Sequence, residues 1–119
     1  MATHIPEPLA EALRLGTRLD AEVEASSPER LAGVVIHPLR DDLDRQAELE
    51  GWRRSNAGRA YIVIWREYSR EQSADGWDYD QWDVASATVE GIHSLERLLS
   101  DWSVPLDKLT YSWNSAIPE

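Results

Sequence analysis

The sequence predicts a single α+β domain, with helices packed on one face of a small, mainly antiparallel sheet and elements in the order α-β-α-β-β-α-β. Three observations lead there. Apolar residues recur every three to four positions over 6–25 and again over 88–101. The run Ala60-Tyr61-Ile62-Val63-Ile64-Trp65 is apolar on both faces and partly β-branched. The chain has 119 residues, the size of one domain around one core, with residues 1–5 and 115–119 expected to fray.

The first helix is expected over 6–25, where Leu9, Ala12, Leu13, Gly16, Leu19 and Val23 form the apolar stripe and Pro6 and Pro8 suit its start. Pro28 lacks a helical donor and ends it. Leu31–Ile36 reads as a strand stopped by Pro38, and 40–54 as a second helix with a thin stripe of Leu43, Ala47 and Trp52. After the turn at Asn56-Ala57-Gly58 comes the strongest strand, 60–65, which should be internal to the sheet. A polar loop over 69–76 leads to a second hairpin strand over 77–85. Thr88 is the expected N-cap of a helix reaching Asp101, with Ile92, Leu95, Leu98, Leu99 and Trp102 as its stripe. Leu109–Trp113 is β-prone and reads as an edge strand. The core is expected to contain Ile62, Ile64, Val84, Leu95, Leu98 and Leu99.

Composition bounds the function. Twenty-two acidic against twelve basic residues leave a formal charge of −10, which disfavours nucleic acid and anionic membrane as direct partners and favours a basic protein. With no cysteine, disulfides and thiolate metal sites are excluded and a reducing cytoplasm is the expected location. The first residues lack the charged and apolar regions of a secretory signal, and no apolar run approaches the ~20 residues of a membrane span. Eleven arginines against the single Lys108 fit a GC-rich bacterial genome.

One segment carries a binding signature. No basic residue lies between Arg70 and Arg97, and Glu71, Asp75, Asp78, Asp80 and Asp83 surround Trp77, Tyr79 and Trp82. Aromatic rings give contact area at low entropic cost while carboxylates steer and select a basic partner. Trp77 and Tyr79 are therefore the expected anchors, with Asp75, Asp78, Asp80 and Asp83 as charge partners. The competing reading is a hairpin whose rings pack inward while its aspartates face water. A second acidic stretch, with Asp41, Asp44 and Glu48 on neighbouring turns, reads as a solvated helix face that would extend the same anionic surface.

Nothing in the sequence points to catalysis, to a metal or to a cofactor. His4, His37 and His93 are scattered; His93 and Glu96 at helical spacing could share a metal, but no third ligand is identifiable. Phosphate loops and nucleophile elbows are absent.

The order of Tyr61-Ile62-Val63-Ile64-Trp65, Trp82-Asp83-Val84, Ser86-Ala87-Thr88-Val89-Glu90, a helix ending at Trp102 and a last strand Leu109–Trp113 resembles small immunity proteins of bacterial toxin systems. The resemblance spans about half the chain and includes no diagnostic motif. It implies a cytoplasmic stoichiometric inhibitor of a toxin domain, and it transfers no binding residues. Together with the charge, it leads to the expectation that the protein occludes the basic active-site cleft of a toxin such as a nuclease. The alternatives are an acidic regulatory or adaptor protein and a small-ligand-binding domain using a pocket between helices and sheet.

Overall fold

The computed structural model describes residues 4–40, 42–52, 59–69 and 81–114. In chain order the elements are α1 (Glu7–Arg14), β1 (Leu19–Val23), β2 (Arg30–Pro38), α2 (Asp42–Glu50), β3 (Ala60–Ser69), β4 (Gln81–Glu90), α3 (Ile92–Asp101) and β5 (Leu109–Tyr111), with 3₁₀ turns at Leu106–Lys108 and Ser112–Asn114. The five strands form one antiparallel sheet in the order β4-β3-β2-β1-β5. The α+β class stands, and the strand run at 60–65 lies inside the sheet, as expected.

The element order differs at one place: the segment read as one helix over 6–25 is α1 followed by β1. The cause is Gly16. At φ +93° it closes α1, with Thr17 N–H donating to the Ala12 carbonyl at 2.9 Å and Gly16 N–H to the Leu13 carbonyl at 3.0 Å. This is the Schellman arrangement that a glycine adopts without a Cβ clash. Beyond it Leu19, Ala21 and Val23 alternate with Asp20 and Glu22, a period of two. Leu19 pairs with Ile36 on one side and Tyr111 on the other, so β1 is an interior strand. The expected N-cap at Thr88 also moves, because β4 continues to Glu90 and Gly91, at φ +80°, precedes α3.

One sheet face carries Leu19, Ala21, Val34, Ile36, Tyr61, Val63 and Leu109, all buried against Ala10 and Leu13 of α1 and Leu95 and Leu99 of α3. Ile62 and Ile64, expected in the core, point to the opposite face and are partly buried. Val84 is 59% exposed. It is the extra residue of a bulge, since Trp65 pairs with Ala85 and Arg66 with Asp83. Leu98 is partly buried at the edge of the core. The start of the chain, expected to fray, is tied down at Ile5, which is buried and donates its N–H to Glu96 Oε2 at 2.7 Å.

Arg59 organises the lower end of the sheet. Its guanidinium, 1% exposed, donates to both oxygens of Asp44 at 2.7 and 2.8 Å, to the Leu39 carbonyl at 2.8 Å and to the Arg14 carbonyl at 3.1 Å. One side chain thus joins the end of α1, the segment after β2, and α2 to the start of β3. Asp44, expected on a solvated helix face, is turned inward by this partner.

Candidate functional site

Of the expected partner-binding residues, Asp75, Trp77, Asp78, Tyr79 and Asp80 lie outside the described residues. Asp83 is described, and it is not an uncompensated charge: Arg66 Nε donates to its Oδ1 at 2.6 Å. Its neighbour Trp82 is 39% exposed, with the Arg30 guanidinium 4.0 Å above its ring. Of the second acidic stretch, Asp41 is outside the described residues, Asp44 is buried on Arg59, and Glu48 accepts from Arg40 at 3.1 Å.

Where the helices leave the core-bearing face uncovered, a groove of about 820 Å³ opens beside Glu67, the cross-strand partner of Trp82. Its lining runs from β1 through β3 to β4, three strand spacings or about 14 Å across. Val23, Trp65 and Val84 supply the apolar surface, and Trp65 is backed by Trp102, ring centres 6.3 Å apart. Glu22 and Glu24 come from β1 and the turn after it, while Ser103 and Pro105 at the end of α3 line it too. Lys108 is the basic residue of the lining among the described residues.

Glu67 is the most constrained carboxylate of the groove. It is buried, and it accepts from Ser26 N–H at 2.8 Å, Ser26 Oγ at 2.7 Å and Arg30 at 3.1 Å. Burial pushes its carboxyl up, but the Ser26 and Arg30 bonds outweigh burial and hold it below the ordinary value. The turn after β1 is thereby pinned across the sheet to β3, which fixes the groove wall on which Glu24 sits.

Ser103 contributes strain to the facing wall. The three helices among the described residues end in the same hydrogen-bonded turn, α1 at Gly16, α2 at Gly51 (φ +83°) and α3 at Ser103 (φ +58°). For α3 the bonds run from Val104 N–H to the Leu99 carbonyl at 2.8 Å and from Ser103 N–H to the Ser100 carbonyl at 3.0 Å. A serine thus holds the left-handed position that glycine fills twice elsewhere, at a residue lining the groove.

The sequence reading missed Glu22, Glu24, Trp65 and Ser103 as site residues. A signal existed for the first two in the alternation Asp20-Ala21-Glu22-Val23-Glu24, but the longer helical period concealed it.

Two of the three histidines meet at one carboxylate. His4 and His93 are 75% and 93% exposed and each lies within 3.4 Å of Glu96. Burial, then the charges of Arg18 and Arg66, lower the His37 pKa against a smaller opposing effect of Asp20. Among the described residues no group of three His, Asp or Glu is placed to hold a metal ion, and no helix is long and apolar enough to cross a membrane. No protein-family model, curated protein or solved structure matches the chain.

Proposed function

We propose that this is an acidic binding protein of the immunity type, which inhibits a basic bacterial toxin domain such as a nuclease by occluding its active-site cleft in the cytoplasm. The observation that carries this reading is the groove: tryptophan and valine surface with Glu24 on its wall, the 39% exposed Trp82 on the strand position opposite the groove residue Glu67, and β4 continuous in sequence with the acidic aromatic segment 75–83. A nuclease cleft is basic because it holds phosphates, so an inhibitor that offers carboxylates and aromatic rings competes for the same surface. A chain of formal charge −10 would also associate with such a cleft quickly and in a salt-sensitive way. Occlusion requires no catalytic residue, metal or cofactor in this chain.

The groove's size gives the small-ligand alternative its support, because it lies within the ~300–1,000 Å³ of ordinary ligand pockets. The salt test below separates the two for an uncharged ligand.

The deciding experiment mixes the purified protein with a basic toxin domain encoded beside its own gene and follows both toxin activity and association rate. Stoichiometric inhibition is expected, with association slowed by salt. Trp82→Ala and Trp77→Ala should mainly speed dissociation, while Glu24→Gln and Asp78→Asn should slow association. Binding that is indifferent to salt and to all four substitutions would remove this surface from the interface.

A further inference from the structure

We propose that the outer edge of β4 pairs with the β4 of a second copy, antiparallel about a two-fold axis through Ala87, so that two five-stranded sheets become one continuous sheet. This inference is independent of the toxin reading. It begins with the sheet order: β4 has ten residues and, among the described residues, is bonded on one side only, to β3, whereas β5 at the other edge has three. An edge strand presents a row of unpaired N–H and C=O groups that natural proteins block with lysine, proline, bulges or short length. Here the bulge at Val84 interrupts the first part of β4 alone. The remaining stretch, Ala85-Ser86-Ala87-Thr88-Val89, contains no charge, proline or glycine.

That stretch is complementary to itself. A two-fold axis normal to the sheet pairs residues of the same face, setting Ala85 opposite Val89 of the second copy, Ser86 opposite Thr88, and Ala87 opposite its equivalent. Small residues meet β-branched ones, and two hydroxyl pairs fall in register. Charge does not oppose this register directly. Of the two carboxylates on β4, Asp83 is paired with Arg66, and Glu90 falls beside Val84 of the second copy. A second copy fits better than a basic segment because Ala85–Val89 offers a lysine or arginine no carboxylate to pair with. In-plane pairing leaves the sheet faces free, so both grooves remain open and lie on the same side of the joined sheet.

Five paired residues bury less than the ~1,200 Å² of a stable interface, so the dimer should form in the micromolar range. Sedimentation velocity of the full chain from about 1 μM to about 1 mM should show a monomer–dimer equilibrium. Added salt should tighten it, because the copies carry like net charge. Amide hydrogen exchange within 85–89 should slow as concentration rises. Ser86→Lys/Thr88→Lys, at two exposed positions, should weaken association about tenfold or more with an unchanged far-UV spectrum. A monomer throughout the range overturns the proposal, as does a dimer that this double variant leaves intact or that salt dissociates. Should the double variant fold poorly, wild-type exchange at 85–89 that is independent of concentration overturns it equally.

Discussion

Arg59 and Asp44 form a two-bond ion pair at 2.7 and 2.8 Å with both side chains out of water, 1% and 5% exposed. The two residues lie 15 positions apart in the chain, one in α2 and the other just before β3. Their pairing decides where α2 sits, since Asp44 is drawn to the guanidinium that also bonds the end of α1 and the segment after β2. Removing one partner strands the other charge in a dry site. Asp44→Ala is therefore expected to cost about 3–5 kcal/mol, measured by urea unfolding. A loss within the ~0.5 kcal/mol of a surface change would show that the site is wet.

Two apolar residues that look alike in sequence should behave oppositely. Leu99 is fully buried between α3 and the sheet, and Leu99→Ala should cost about 2–5 kcal/mol. Val84 stands out at the bulge, and Val84→Ala should change stability by no more than about 0.5 kcal/mol. Equal losses at the two positions would contradict the observed register of β4.

Ser103 at φ +58° leaves room for improvement. Ser103→Gly should stabilise the fold by about 0.5–1 kcal/mol, the relief of the left-handed conformation exceeding the entropy gained by the unfolded chain. The same substitution reports on function, because a gain in stability accompanied by weaker partner binding would mark the strain as part of the groove's shape. A destabilised variant would refute the strain.

Acid stability should fall in two steps. His37 has a folded-state pKa below the ordinary histidine value of 6.5, so between those two values the unfolded chain binds more protons and stability is lost as pH falls from about 6.5. Glu67 and Glu96 are also lowered, in their case from 4.5. Burial opposes their charge, while bonds from Ser26 and Arg30, and from Ile5, His4 and His93, outweigh it. Their stabilisation is complete above about pH 4.5 and disappears as pH drops through their folded values. His37→Gln should flatten the first step, and Glu67→Gln the second, in unfolding curves collected from pH 7 to pH 3. A profile unchanged by His37→Gln would place that imidazole in water.

Much of the architecture was legible because it is local. The stripe Ile92, Leu95 and Leu99 has one helical period and no competing one, so α3 was placed from its spacing. The unbroken run 60–65 could only be a strand covered on both sides, and β3 does lie between two neighbours. The segment 6–25 failed for the opposite reason. Leu9, Leu13 and Gly16 fit a helix, Leu19, Ala21 and Val23 fit a strand, and Leu19 and Val23 also continue the helical spacing, so that the glycine at the junction was absorbed into the wrong element.

The sequence by itself determined that this chain is one α+β domain of strongly acidic character without cysteine, because size, charge and short-range periodicity are properties of the chain alone. The tertiary structure decided which carboxylates are engaged within the fold. Asp44 and Glu67 are held inward by Arg59 and by Ser26 and Arg30, partners 15, 41 and 37 residues away, and Asp83 is matched by Arg66 across the hairpin. It also decided that Val84 bulges outward and that a groove over Trp65 is left open beyond the helices. These depend on strand register and on where helices stop relative to strands. Both are set by contacts between residues far apart in the chain, which a reading of neighbouring positions does not contain.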